Sequence, residues 1–173
     1  MGLSIYQKSV YLIIFNATMI ARSLGKTLKD KSTLAEFKKD VFRAFYALVR
    51  LMDEKRLTED AILESIRALR SKFEFGVSFG QAQKPINVLL KYHFYLTKSG
   101  DAETERILHC PVDSVVLREL RMKPQSLAKI DEDEYLKIQD NIGRLCATRI
   151  AFDRKWDQEN LRGAGITWQE PNL

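Results

Sequence analysis

The chain is poor in cysteine. Of its 173 residues only Cys110 and Cys146 carry a thiol, and they lie far apart. A disulfide-rich secreted fold, or a zinc site built from closely spaced ligands, needs a denser cysteine pattern. Phosphate loops, dinucleotide fingerprints and His-Glu-x-x-His motifs are also missing. We therefore expect a cytoplasmic protein with reduced thiols, without a metal and without a cofactor.

The chain also lacks a long hydrophobic run. The apolar stretch from Val10 to Phe15 is interrupted by Asn16 and Thr18 and is too short to cross a bilayer. The same region has apolar residues at helical spacing: Val10, Ile13, Ile14, Ala17, Ile20, Ala21 and Leu24. This spacing predicts a helix that faces the core and ends near Gly25. Together with the short apolar run, it predicts a protein without membrane contact.

The sequence also lacks signals for β-hairpins, since it has no alternating β-branched runs joined by Asn-Gly or Asp-Gly. The sequence predicts an all-α fold, a compact single domain over residues 1–173 with about six or seven helices. Residues 150–173 are expected to form a tail that Trp156 and Trp168 hold against the body.

Helix starts are marked by residues that typically cap them. The predicted caps are Thr33 with Glu36, Thr58, Asp113, and Asp131 with Glu134.

Positive charge exceeds negative charge. The formal net charge is +5 and the pI is about 9.2, which makes a polyanionic partner plausible. A basic flank of Lys38, Lys39, Arg43 and Arg50 accompanies the second helix. It is either a solvated face or a surface that contacts phosphates.

The stretch from Gly76 to Asp113 has the most unusual pattern. Gln83, Lys84, Asn87 and Lys91 follow one another at steps of three and four, which places them on one face of a mostly apolar helix. In a structural interpretation Lys91 covers apolar surface with its stem and Asp113 caps a helix. Gln83 and Asn87 then satisfy backbone groups.

A functional interpretation starts from the turn Gly76–Gly80 between two helices. This layout is helix-hairpin-helix-like, and amides in such a turn are suited to bind a phosphate. Counter-charge would come from Arg67, Arg70, Lys72 and Lys84.

The segment resembles the archaeal oxoguanine DNA glycosylases, a branch of the helix-hairpin-helix glycosylases. The resemblance consists of the seven-residue step from Lys84 to Lys91 and of the element Cys110-Pro111-Val112-Asp113. It implies that Lys91 is a Schiff-base nucleophile and Asp113 its catalytic partner. A damaged base would be turned out of the duplex, with Gly76, Gly80, Gln81, Gln83, Lys84, Asn87, Tyr92 and His109 contacting the nucleic acid.

Two hypotheses follow. The first is a DNA-binding protein that acts as a base-excision glycosylase/lyase, with DNA as the expected partner. The second is a non-catalytic helical protein that docks a protein or a nucleic acid through the Gln81–Tyr92 face. The sequence leaves the oligomeric state open.

Overall fold

The computed structural model describes residues 3–20, 28, 30–73, 76–97, 101–123, 125–153 and 157. Every regular element in these residues is helical, which confirms the predicted all-α class. The α-helices are α1 (Ile5–Phe15), α2 (Lys31–Asp53), α3 (Glu59–Lys72), α4 (Phe79–Thr97), α5 (Ala102–Ile107), α6 (Ser114–Glu119) and α7 (Glu132–Leu145). A π-helical segment (Asn16–Ile20) follows α1, and a 3₁₀ turn (Leu127–Lys129) precedes α7.

Helix α4 is the central element. Thirteen of its 19 residues are buried, and it packs against α1, α2, α3, the 3₁₀ turn and α7. A helix with apolar residues on all sides is stable only when other elements surround it. Of the predicted polar residues of α4, Lys84 is partly exposed, whereas Gln83, Asn87 and Lys91 are inside the protein, where polar groups need hydrogen-bond partners.

Several predicted caps are confirmed. Thr58 accepts a hydrogen bond from the Ala61 amide, and Asp131 accepts one from the Glu134 amide. The expected Thr33–Glu36 box is wrong, because Asp30 caps α2 by accepting from the amides of Ser32 and Thr33. One carboxylate engages both amides there.

Helix α5 was not predicted. Its N-cap is Asp101, whose carboxylate accepts hydrogen bonds from the amide and hydroxyl of Thr104. The helix has only six residues, so its apolar period is too short to stand out in the sequence.

Helix α1 turns a different face to the core than predicted. Tyr11 and Phe15 are buried, whereas Val10 and Ile13 are exposed. The Tyr11 hydroxyl lies 2.7 Å from His93 Nδ1, and its ring packs edge-on against Phe45. The two large aromatic rings therefore fix the orientation of the helix and leave aliphatic residues outside.

Within the described ranges, no helix combines the length and apolar character needed to cross a membrane. The predicted helix end at Gly25 lies outside the described residues, as do both tryptophans of the predicted tail.

Candidate functional site

Gln83 fastens the element before α6 to α4. Its amide nitrogen donates to Val112 O at 2.8 Å and to Gly80 O at 3.1 Å, and its oxygen accepts from the Val112 amide. The side chain is fully buried. Gln83 therefore satisfies backbone groups, as the structural interpretation expects, and its contact with a nucleic acid stays a prediction.

A chain of buried polar groups continues from Asn87. The Asn87 amide nitrogen donates to Tyr135 OH at 2.8 Å, and that hydroxyl lies 2.6 Å from His109 Nδ1. His109 Nε2 lies 2.7 Å from Glu59 Oε1, which also accepts from Arg149. His109 is only 1% exposed. His109 and Asn87 therefore both belong to an internal network, and their contact with a nucleic acid stays a prediction that this geometry does not favour.

The stability of the protein is expected to depend on pH, because His109 of this network and His93 are both buried. Burial is the main cause that lowers the pKa of both His93 and His109 below 6.5, and for His109 it outweighs the hydrogen bond to Glu59. When the pH is lowered, these two histidines are therefore protonated in the unfolded chain before they are protonated in the folded protein. Their contribution to the free energy of unfolding is fully present above about pH 6.5 and decreases as the pH falls toward their lower folded-state pKa. The hydrogen bond from His109 helps to hold the pKa of Glu59 at about 2, so this carboxylate loses its contribution only in stronger acid.

We expect the urea concentration at the midpoint of unfolding to decrease when the pH is lowered from about 7.5 to about 5.5. Circular dichroism during urea titration at several pH values measures it. A midpoint that stays constant or rises over this interval would contradict the assignment of neutral, buried rings.

Lys91 is held by two carboxylates. Its Nζ lies 2.5 Å from Asp153 Oδ2 and 2.8 Å from Asp157 Oδ2, and the side chain is 5% exposed. Burial lowers the pKa of Lys91, but the charges and hydrogen bonds of Asp153 and Asp157 outweigh burial and raise it above its ordinary value. A Schiff-base nucleophile needs a neutral amine, and this environment stabilises the ammonium form.

Asp113 has other partners than Lys91. Its Oδ1 accepts from the amides of Val115 and Val116, and its Oδ2 lies 3.1 Å from Lys84 Nζ. The predicted N-cap is thus confirmed. The structure does not place Asp113 as the hydrogen-bonded partner of Lys91, because each lysine of the Lys84–Lys91 pair has its own carboxylates. The catalytic roles stay a prediction that this geometry does not favour.

Backbone amides of the turn Gly76–Gly80 donate hydrogen bonds to acceptors within the protein. The amide of Gly76 donates to Phe73 O, that of Ser78 to Gln81 Oε1, and that of Gly80 to Ile130 O. A Cβ on Gly80 would lie 2.5 Å from Leu127 O. Gly80 is therefore required for close packing against the 3₁₀ turn. The three amides already donate to acceptors within the protein, so in this conformation they do not point to a phosphate.

The four predicted basic residues lie in three places, with Arg67 and Arg70 in one cleft, Lys72 beside Glu36 and Asp40, and Lys84 beside Asp113. A cleft of 880 Å³ is lined by Arg67, Arg70, Gly76 and Gln81. Its other charged lining residues are Lys129, Asp131, Glu132 and Asp133. Three acids therefore face three bases, and Arg67 is already bound to Glu132.

Lys72 lies outside this cleft and pairs with Glu36 and Asp40.

Most of the predicted docking face Gln81–Tyr92 is buried, so docking through it stays a prediction that this conformation does not favour. Gln81, Gln83, Asn87 and Lys91 are each at most 4% exposed, and only Lys84 and Tyr92 are partly accessible. The ring of Tyr92 lies 4.9 Å from Lys91 Nζ, so it packs against the buried ion pair.

A basic groove between α1 and α2 combines charge and aromatic surface. It has a volume of 380 Å³ and is lined by Lys8, Leu12, Ala35, Lys38, Lys39, Phe42 and Tyr46. The only charged lining residues are lysines. In the described part of the chain none of the three forms an ion pair, and Lys38 donates to the neutral Asn16.

The sequence predicted the basic residues that α2 contributes to this groove, but not the one from α1. Lys38 and Lys39 belong to the predicted basic flank, whereas Arg43 and Arg50 of the same flank pair with Asp40 and Glu54. Lys8 was not connected with them, since no local pattern shows that α1 lies beside α2.

Comparison of the chain with protein-family models, with curated proteins and with solved structures finds no match.

Proposed function

We propose that the protein is a non-catalytic nucleic-acid-binding protein and that the groove of Lys8, Lys38 and Lys39 binds a single-stranded segment. The observation that carries the proposal is a groove whose charged lining residues are all positive and whose wall contains two aromatic rings. Proteins that bind single strands combine such charge with rings on which bases stack.

Three lysines supply the electrostatic part. Lys8 and Lys39 are exposed, and Lys38 is half-buried with its Nζ 5.8 Å from the centre of the Phe15 ring. Each lysine that neutralises a phosphate releases counterions, which favours binding at low salt. The net charge of +5 supports the same class of partner.

Two rings supply the stacking part. Phe42 and Tyr46 are one helical turn apart on α2, both partly exposed, with ring centres 6.0 Å apart. An apolar side chain, Leu12, closes the groove from α1. A base that lies against Phe42 or Tyr46 would contribute about 1–3 kcal/mol.

The groove fits a polyanion better than the larger cleft does. The cleft has three acidic and three basic side chains, so the repulsion of a phosphate by the acids offsets its attraction by the bases. Base-excision chemistry through Lys91 is not needed for the proposal, and the two carboxylates on that lysine oppose it.

Two double variants with equal charge change test the groove. Lys8→Gln with Lys39→Gln should weaken the binding of a labelled single-stranded DNA about tenfold, because two phosphate contacts are lost. Arg70→Gln with Lys129→Gln removes the same charge from the cleft and should change the affinity less than about twofold. Fluorescence anisotropy at one fixed salt concentration measures both.

Three outcomes would contradict the proposal. One is equal weakening by the two double variants. Another is equally tight binding of an acidic peptide that has no bases. The third is a borohydride-trapped covalent adduct with lesion-bearing DNA that maps to Lys91, which would establish catalysis at that lysine.

A further inference from the structure

Helix α1 and the start of the π-helical segment that follows it expose an apolar stripe on the side away from the core. Tyr6, Val10, Ile13 and Ala17 follow one another at steps of four, three and four, and all are exposed. The exposed fractions are 80% for Tyr6, 41% for Val10 and 67% for Ile13. Alternating three- and four-residue steps form the seam along which two helices pack side by side.

The charge pattern decides which partner fits this stripe. From Leu3 to Ile20 the only charged side chain is Lys8. At about 100° per residue, Lys8 lies roughly 170° from the middle of the stripe. A nucleic acid or an anionic membrane would find no counter-charge on this face. A second copy of the chain would bring an equally uncharged surface and no like-charge repulsion.

The side-chain sizes favour an antiparallel arrangement. When the two copies of α1 run in opposite directions, Tyr6 lies opposite Ala17 of the second copy, and Val10 lies opposite Ile13 of the second copy. A large residue then meets a small one, and two medium residues meet each other, so both layers fill a similar volume. A parallel pair would instead place the two Tyr6 rings against each other and leave Ala17 opposite Ala17.

We infer that the protein forms a symmetric dimer through α1 and the start of the π-helical segment, with the stripe of Tyr6, Val10, Ile13 and Ala17 packed against the same stripe of a second, antiparallel copy. Such an interface is closed by a two-fold axis, so it produces dimers and not filaments. Four side chains per copy cover less than the roughly 800 Å² per partner that stable complexes bury. We therefore expect a dimer that dissociates on dilution.

The dimer leaves the proposed binding groove accessible. Lys8 and Leu12 lie on the side of α1 that faces α2, and the stripe lies on the opposite side. Dimerisation and nucleic-acid binding are thus separate claims, and either can fail without the other.

Sedimentation velocity of the full chain at increasing concentration tests the dimer. The wild-type protein should shift from monomer to dimer in the range of about 1–100 μM. Ile13→Lys should remain monomeric over this range, because the interface would bury an unpaired charge. Ile13 and Leu145 are exposed to a similar degree, 67% and 65%, so Leu145→Lys is the matched control and should dimerise like the wild type. A monomeric wild type, or equal loss of dimer in the control, would overturn the inference.

Disulfide trapping tests the direction of the helices. In a Cys146→Ser background, Tyr6→Cys combined with Ala17→Cys should form an intermolecular disulfide upon oxidation. Ala17→Cys alone should not, because an antiparallel pair separates the two positions by about 16 Å along the helix at 1.5 Å per residue. Efficient cross-linking of Ala17→Cys alone would overturn the antiparallel arrangement.

Discussion

Replacing Lys91 by methionine is expected to lower the free energy of unfolding by about 3–5 kcal/mol at neutral pH. Methionine keeps much of the volume but removes the charge that Asp153 and Asp157 share. The side chains of these carboxylates are 13% and 32% exposed, so water compensates them only in part. The cost arises because two negative charges remain in a poorly solvated place without a counter-charge. Urea unfolding followed by circular dichroism measures the change.

Lys84→Met is the matched control on the same helix. Lys84 also binds a carboxylate, but Asp113 keeps its hydrogen bonds to two α6 amides when the lysine is removed. We expect a loss of about 1 kcal/mol or less. Adding Asp153→Asn to Lys91→Met should recover part of the stability, because one unpaired charge disappears. A cost below about 1 kcal/mol for Lys91→Met would contradict the role of Lys91 as the counter-ion of these carboxylates.

Replacing Gly80 by alanine is expected to destabilise the protein by about 2–4 kcal/mol. The added Cβ would lie 2.5 Å from Leu127 O and 2.7 Å from Ile130 Cβ. Neither atom can rotate away, since one belongs to the backbone and the other is fixed directly to it. The hydrogen bond from the Gly80 amide to Ile130 O would have to lengthen as α4 moves away from the 3₁₀ turn.

Gly143→Ala provides the comparison for the same substitution in α7. The nearest atom to a Cβ there is Arg149 Nε at 3.9 Å, an ordinary contact with a movable side chain. Alanine should therefore stabilise this helix by about 0.5–1 kcal/mol. If Gly80→Ala were as mild as Gly143→Ala, α4 and the 3₁₀ turn would not be in the close contact described above.

The sequence predicted elements whose signals are local. The N-caps Thr58, Asp113 and Asp131 were correct because a capping side chain acts on amides two or three residues away. The all-α class followed from the absence of hairpin signals. Asp30 was missed because Thr33 and Glu36 present a second capping pattern three residues later, and one sequence cannot decide between them.

The candidate site depended on contacts between distant parts of the chain. The spacing of Lys84 and Lys91 is local, but their partners come from Asp113, Asp153 and Asp157. A pattern of polar residues on α4 cannot show whether they meet a ligand or each other. The core contacts of Tyr11 determine the exposed side of α1 in the same way, through His93 and Phe45.

The salt dependence of single-stranded DNA binding tests most directly whether the groove of Lys8, Lys38 and Lys39 contacts phosphates. Each contact with a single strand contributes about −0.7 to the slope of log K against log salt concentration. We expect Lys8→Gln with Lys39→Gln to make the slope less steep by about 1.4, and Arg70→Gln with Lys129→Gln to leave it unchanged. An equal slope for the wild type and the groove variant, or wild-type binding that does not respond to salt, would contradict the proposed function.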